Sequence, residues 1–202
     1  MRNGLPGSRG GHYYPGMPTP DARERILGTA TRLFDRHGVH AVGLQRIIDE
    51  CDCGKNLLYT HFASKDDLVV AYLRRCAAGW DALVAGVRAA SPSPEGRLVE
   101  LVREAGVRAT EPGSRGCALR ATLAEFPEPR HPAHRVAVEY LVRARARLRE
   151  LAAETSAADP DRLADRIMTI IDGLYANGPI FGDDTAKAAV AFAEDVVRAE
   201  SR

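Results

Sequence analysis

The sequence predicts an all-α fold, in which a three-helix head near the N-terminus precedes a larger helical body. Apolar residues recur at the spacing of a helix face along nearly the whole chain. Glycine and proline clusters separate these periodic stretches, and none of them shows the apolar and polar alternation of a strand. We therefore expect a flexible tail over residues 1–20, the head over residues 21–66 and the body over residues 67–202.

The composition is that of a globular protein. Of the 202 residues, 45% are hydrophobic and 27% are charged. No apolar run approaches the roughly 20 residues that span a bilayer, so we expect no membrane segment. The first twenty residues are rich in glycine and proline and lack the apolar core of a secretory signal. This pattern predicts a flexible tail and a cytoplasmic protein.

The four cysteines are Cys51, Cys53, Cys76 and Cys117. Because the chain shows no export signal, their scattered positions favour reduced thiols over a disulfide framework. The spacing of Cys51 and Cys53 is not that of a usual zinc site. We expect neither a metal site nor a cofactor.

Charge is distributed unevenly along the chain. Residues 1–65 contain nine Lys or Arg and six Asp or Glu, a net charge of +3, whereas the remainder contains nineteen and twenty-one, a net charge of −2. A basic N-terminal part is what a nucleic-acid-binding head requires. A solvated surface explains the same bias equally well.

The head begins with a capping-box pattern of Asp21 and Glu24, and the first helix ends at Gly38. Its inward face has the helical spacing of five apolar residues: Ile26, Leu27, Ala30, Leu33 and Phe34. A short helix from Leu44 to Cys51 and another from Lys55 to about Phe62 follow, with a break at residues 52–54. Two short helices joined by a tight break are typical of a helix-turn-helix, here over about residues 43–62.

The body begins with a long helix from about Asp66 to Ala90, for which Ser64 and Asp67 provide a cap. A turn is expected at residues 178–182, between the last two helices. The remaining helices are predicted near Glu95–Thr110, Cys117–Phe126, Pro132–Ala153, Pro160–Asn177 and Asp184–Ala199.

The residues of the head resemble the DNA-binding signature of the tetracycline-repressor family. The resemblance is strong over residues 21–73 and rests on Ile26-Leu27-x-x-Ala30-x-x-Leu33-Phe34-x-x-x-Gly38, then Ile47, then Leu58-Tyr59-Thr60-His61-Phe62-Ala63-Ser64-Lys65-Asp66-Asp67-Leu68. It implies a DNA-binding transcription regulator, in most cases a repressor that a small molecule releases from a palindromic operator. The chain departs from the family pattern at Gly43, Ile48, the turn of residues 51–54, Asn56 and Leu57.

The candidate DNA contacts lie in and around the helix-turn-helix: Gly43, Gln45, Arg46, Gly54, Lys55, Asn56, Leu57, Tyr59, Thr60, His61 and Lys65. Lysine can reach a guanine or a phosphate, asparagine can pair with adenine, and leucine can contact a thymine methyl group. The residues from Tyr59 onwards resemble phosphate contacts of similar proteins. Packing of Tyr59 and His61 inside the head is the alternative.

The resemblance also implies a homodimer and an effector site in the body. The last two helices carry apolar stripes wide enough to pack against a second subunit: Leu163, Ile167, Ile170, Ile171 and Leu174, and Ala186, Ala189, Val190, Ala193 and Val197. Aromatic, Met and single polar side chains can line an effector cavity: Trp80, Cys117, Phe126, Tyr140, Met168, Asp172 and Tyr175. An intramolecular core is the alternative in both cases.

Two other functions are open to a helical chain of this kind. Cys51 and Cys53 flank the turn of the motif, so a thiol-based redox sensor is an alternative to an effector-binding regulator. An enzyme is not expected, because the sequence contains no phosphate loop, nucleophile elbow or zinc helix. The arginines at positions 143, 145, 147 and 149 suggest an anion site, but a solvated helix face explains them better.

Overall fold

Nine α-helices and no strand make up residues 21–201, the part of the chain that the computed structural model describes. The helices are α1 (Ala22–His37), α2 (Leu44–Cys51), α3 (Lys55–His61), α4 (Lys65–Ala90), α5 (Pro94–Thr110), α6 (Ala118–Glu125), α7 (Pro132–Ala152), α8 (Pro160–Phe181) and α9 (Asp183–Glu200). This architecture confirms the predicted all-α fold. The predicted tail lies outside the described residues. None of the described helices is long and apolar enough to cross a membrane.

The predicted inward face of α1 is buried. Ile26, Ala30 and Phe34 are among its buried residues, and α2 and α3 add Ile47 and Leu58 to the same core. Helical spacing placed these apolar side chains on one face, where burial stabilises the three-helix arrangement.

The capping box predicted for α1 is wrong. Asp21 precedes the helix but makes no side-chain hydrogen bond to it. Glu24 instead accepts a hydrogen bond from Nη1 of Arg75 at 2.7 Å, because α4 passes beside the first turn of α1. The cap predicted for α4 is present, since Oγ of Ser64 accepts a hydrogen bond from the backbone N–H of Asp67 at 3.1 Å.

The hydrophobic core is divided into two clusters. The first contains the inward residues of α1, α2 and α3 together with Leu68 and Leu73 of α4, and it extends to Leu119 of α6 and Ala137 of α7. The second lies among α4, α5, α7, α8 and α9. Helix α4 contributes to both, so the head and the body share one continuous helix.

The turn predicted at residues 178–182 is shorter than expected and consists of Gly182, with φ of 64°, because α8 continues through Pro179 to Phe181. Proline removes one helical N–H and disfavours a helix interior. Gly178, however, packs so closely on α5 that a Cβ atom there would lie 3.0 Å from the carbonyl oxygen of Ala109. Tertiary packing therefore overrides the local propensity of this segment.

Candidate nucleic-acid interface and effector cavity

Helix α3 presents a polar face to solvent. Lys55, Asn56, Tyr59 and Thr60 are exposed, and Tyr59 retains 44% of its accessible surface although it is a large aromatic residue. Nζ of Lys55 lies 6.0 Å from the centre of the Tyr59 ring, and Oγ1 of Thr60 donates to the carbonyl of Asn56 at 2.9 Å. Because Leu58 anchors the opposite face in the core, α3 is held with these four side chains outward.

Three further candidates on this side of the head are more enclosed. Leu57 and His61 are half-buried, and Leu57 packs against the head core. Lys65 is half-buried at the start of α4, where burial lowers the pKa of its amine and the nearby Glu125 and Asp66 carboxylates oppose that shift. These side chains offer less of their surface to a partner than the exposed residues of α3.

The candidates on α2 are exposed and engaged in surface contacts. Gln45 donates to Asp49 at 2.8 Å, and Nε of Arg46 contacts Glu50 at 3.1 Å. Exposed pairs of this kind contribute little to stability, so both side chains can exchange partners at small cost. Gly43 and Gly54 are the N-cap residues of α2 and α3, and neither helix has a side-chain cap.

The turn between α2 and α3 contains a disulfide, which corrects the expectation of free thiols at Cys51 and Cys53. Asp52 between them adopts a left-handed backbone conformation with φ of 49°. This bend brings the two Cα atoms to 5.4 Å, inside the range that a disulfide requires. Cys76 and Cys117 are free, as predicted.

Two hydrogen-bonded contacts connect the head to the helices behind it. The hydroxyl of Tyr72 on α4 donates to Oδ1 of Asp35 on α1 at 2.6 Å. The Glu125 carboxylate at the end of α6 accepts hydrogen bonds from the backbone N–H groups of Val39 at 3.1 Å and His40 at 2.6 Å. The loop after α1 is thereby attached directly to α6.

A cavity of about 190 Å³ lies among α4, α6, α7 and α8. Six of the seven predicted effector residues line it: Trp80, Cys117, Tyr140, Met168, Asp172 and Tyr175. Phe126 lies elsewhere, between the rings of His40 and His131, with ring centres 4.5 and 4.4 Å away. Phe126 follows the last residue of α6, whereas the cavity is at the beginning of that helix.

Several cavity residues were not among the sequence candidates. Cys76, Leu119 and Arg143 also line the cavity, as does Gly116 before α6. The signal for Arg143 is its position three residues after Tyr140 on α7, which places both on one side of the helix. A Cβ atom on Gly116 would lie 2.6 Å from the carbonyl oxygen of Tyr175, so the absence of a side chain permits this wall to close.

The cavity contains two buried thiols and a carboxylate that is hydrogen-bonded to an arginine. Burial is the main reason that the pKa of the Cys76 thiol is raised to about 12, and it also raises the pKa of the Cys117 thiol. Both thiols are therefore protonated at neutral pH and behave as small apolar groups. The Asp172 carboxylate receives two hydrogen bonds from the Arg120 guanidinium, with Nε at 3.0 Å from Oδ1.

These features define a class: a helix-turn-helix regulator whose helical body encloses a cavity. Residues 26–72 match the family model described as bacterial regulatory proteins, tetR family. The HTH-type transcriptional regulator BetI of Rhizobium meliloti is 30% identical over 186 residues, which cover 91% of each chain. The crystal structure of SCO4454, a TetR-family transcriptional regulator from Streptomyces coelicolor, is 35% identical with a TM-score of 0.85, over 90% of this chain and 96% of that one.

The chain belongs to the TetR family, the tetracycline-repressor family that its sequence resembles. It is a DNA-binding transcription regulator and not an enzyme. Some relatives match only part of this chain. The HTH-type transcriptional activator FasR of Mycolicibacterium smegmatis is 39% identical over 74 residues, which cover 37% of this chain and 32% of that protein. The matched part thus spans about a third of FasR, which is named an activator.

Proposed function

We propose that this chain is an effector-responsive repressor, which binds a palindromic operator as a homodimer and leaves it when a small molecule occupies the body cavity. The observation that supports this proposal is the course of α4. Its first turns pack in the head core at Leu68 and Tyr72, and its middle turns line the cavity at Cys76 and Trp80. An effector that displaces α4 at the cavity therefore also displaces the head.

The exposed face of α3 supports the proposal that this helix contacts the DNA bases and backbone. Four side chains point outward: Lys55, Asn56, Tyr59 and Thr60. They provide hydrogen-bond donors and one cation, which suit contacts with base edges and phosphates. In a dimer, two such helices would occupy successive major grooves, so the half-sites would lie about one helical turn or a multiple of it apart.

Dimerisation is proposed through α8 and α9. Large apolar residues remain exposed there in a single chain, and they include Ile180, Phe181 and Phe192. The stripes predicted from the sequence mostly face the protomer's own core instead, and Ile170 is only 8% exposed. A partner subunit would cover the exposed residues, as an apolar patch of this kind requires.

Reciprocal binding tests this function. Operator duplex is selected from random DNA, and an effector is found by thermal shift with the same protein. Because effector and DNA favour different conformations, each must weaken the other by the same factor. An effector whose affinity is unchanged by saturating operator would contradict the proposal.

A redox-sensing function is the second candidate, and the bonded sulfur atoms of Cys51 and Cys53 favour it. In this reaction the two thiols are oxidised by hydrogen peroxide to one disulfide, and the peroxide is reduced to two waters. The disulfide restrains the turn before α3, so operator affinity should differ between the oxidised and reduced protein. Replacing both residues with serine should abolish that difference, whereas the same change at Cys76 and Cys117 should leave it intact.

A further inference from the structure

The arginine run of α7 is divided by the fold into two kinds of side chain. Three of its members contact carboxylates: the exposed Arg145 contacts Asp165 at 2.6 Å, the exposed Arg147 contacts Glu150 at 2.7 Å and the half-buried Arg149 contacts Asp161 at 3.4 Å. Arg143 is half-buried and lines the cavity. Contacts with carboxylates thus account for three of these arginines and leave Arg143 to be explained.

The Arg143 guanidinium is positioned by an aromatic ring. Its central carbon lies 4.0 Å from the centre of the Tyr140 ring, which is a close stacking distance. Among residues 21–201, no carboxylate oxygen lies within 4.0 Å of its side-chain nitrogens. Stacking therefore fixes the group at the cavity and leaves its N–H donors available.

The acidic residues of the cavity do not neutralise Arg143. The Asp172 carboxylate is engaged by Arg120. Asp81 is exposed, and its charge acts on Arg147. Among the described residues, Arg143 thus remains without a carboxylate partner, and it is the group at the cavity that an anionic ligand would contact. A planar guanidinium matches a carboxylate particularly well, because two parallel hydrogen bonds can form.

The volume of the cavity indicates the size of the group that its walls can cover. An engineered apolar cavity of about 150 Å³ holds benzene. The cavity here measures about 190 Å³, which leaves room for one six-membered ring and a substituent of a few atoms. Its walls include Trp80, Met168 and Ile171, which offer the apolar and aromatic surface that such a ring requires.

We propose that the effector is a monocyclic carboxylate, whose ring packs between α4 and α8 and whose carboxylate binds the Arg143 guanidinium. This inference rests on the proposed effector cavity and adds the chemical class of its ligand. The neutral thiols of Cys76 and Cys117 contribute apolar wall rather than a reactive centre.

Benzoate and its uncharged analogue benzamide are suitable probes, since they have nearly the same shape. The full chain contains one tryptophan, and Trp80 lines the cavity, so its fluorescence reports occupancy directly. We expect a saturable signal with benzoate and affinity about 10-fold or more lower for benzamide, because a hydrogen bond to a charged group is the stronger one.

Matched arginine variants identify the group that binds the carboxylate. Arg143→Met retains the length of the side chain and should lower benzoate affinity about 10- to 100-fold while leaving benzamide unaffected. Arg145→Met removes a charge from the same helix but outside the cavity, and it should leave both affinities unchanged. Arg143→Lys retains the charge and should recover part of the benzoate affinity, which separates removal of the cationic group from misfolding of the cavity.

The outcomes distinguish this inference from the function on which it rests. Equal binding of benzoate and benzamide, or an Arg143→Met variant with unchanged benzoate affinity, would overturn the assignment of a carboxylate. If benzoate does not bind but a long-chain compound such as dodecanoate releases the operator, the proposal of a monocyclic ligand is overturned. That result would still support an effector-controlled regulator. Benzoate binding that operator DNA does not weaken would support the site chemistry and contradict its regulatory role.

Discussion

Asn56 and Lys65 lie in different surroundings, and these predict different effects on DNA binding. Asn56 is exposed in the first turn of α3, whereas Lys65 is half-buried beside the carboxylates of Asp66 and Glu125. An exposed amide at the start of a reading helix can contact a base edge. A partly enclosed amine at the start of the next helix is better placed for the DNA backbone.

Asn56→Ala should weaken binding to the best operator by roughly 1 to 3 kcal/mol per half-site and have little effect on random DNA. Lys65→Ala should weaken both and reduce the dependence of log affinity on log salt by about one unit for each phosphate that the side chain no longer neutralises. Affinity measured against salt, on operator and scrambled duplex, separates the two effects.

Lys187→Ala provides the control, because Lys187 is an exposed lysine of α9, far along the chain from the head. It should match the unmodified protein on both duplexes. If neither Asn56→Ala nor Lys65→Ala changes operator affinity, α3 is not the reading helix.

At the scale of elements, α6 connects the cavity to the loop after α1. Its N-cap residue Cys117 lines the cavity, and Glu125 at its end accepts hydrogen bonds from the N–H groups of Val39 and His40. Glu125→Ala removes both hydrogen bonds without touching the cavity. We expect near-normal effector affinity, but weaker coupling between effector and operator, by a factor of about 5 or more.

The measurement is effector affinity with and without saturating operator. Glu128→Ala, on the loop that follows, is the matched control and should retain full coupling. Unchanged coupling in the Glu125 variant would show that α4 alone connects the cavity to the head.

Helices α8 and α9 are joined by a buried carboxylate near the end of the chain. The Glu200 side chain is only 4% exposed and contacts Arg162 at 2.6 Å and also Arg166. The Arg162 guanidinium is the main cause that holds the pKa of Glu200 below its ordinary value. The stability that this carboxyl group contributes is thus fully present above its ordinary pKa of 4.5 and declines as pH falls through the lower value in the folded protein.

Glu200→Gln should lower the melting temperature at pH 7, because both arginines lose their charged partner. The deficit should shrink as pH falls below 4.5, where the unmodified carboxyl group also becomes protonated. Thermal melts from pH 7 to pH 3 provide the comparison, with Glu194→Gln as an exposed control on the same helix. A deficit that is equal at every pH would contradict the charged contact.

Local patterns predicted most elements correctly, and packing between distant elements explains the exceptions. The periodicity of α1 and the Ser64 cap depend on neighbours in sequence, so the sequence shows them. The continuation of α8 through Pro179 depends on its contact with α5, and the Arg143 position at the cavity depends on how α7 packs. The contact of α8 with α5 leaves no local signature, and the sequence signal for Arg143 is limited to its spacing from Tyr140 on α7.

The residues proposed for the effector site and for the dimer surface illustrate the same dependence on packing. Five aromatic or sulfur-containing residues and one polar residue, Asp172, were predicted from the sequence at positions that line the cavity. Whether an apolar stripe faces the protomer's own core or a second subunit, however, depends on the orientation of the whole helix. Ile170 and Phe192 have the same apolar character in sequence and opposite exposure in the fold.

At the scale of the molecule, the exposed apolar residues of α8 and α9 predict how the subunits associate. Phe192→Asp should give a monomer in sedimentation experiments at micromolar concentration, because burial of an unpaired charge costs several kcal/mol. Phe192 is 59% exposed, so the variant should still fold. A variant that remains dimeric would place the interface elsewhere.

Val142→Asp is the matched control for this experiment. Val142 is 65% exposed on α7 and carries the same kind of apolar side chain outside the proposed interface. It should remain a dimer. The Phe192 variant should also lose most of its operator affinity, since one head alone reads a single half-site.

The shared first core has a consequence for chimaeric regulators, in which a head is joined to a foreign body. Residues 21–66 obtain part of their core from Leu68 and Leu73 of α4 and from Leu119 and Ala137 of the body. A transplant cut at residue 66 would expose apolar surface that these residues cover, in a fragment too short to compensate. A functional graft should therefore carry α4 at least to Leu73, and its new body must supply apolar partners in place of Leu119 and Ala137.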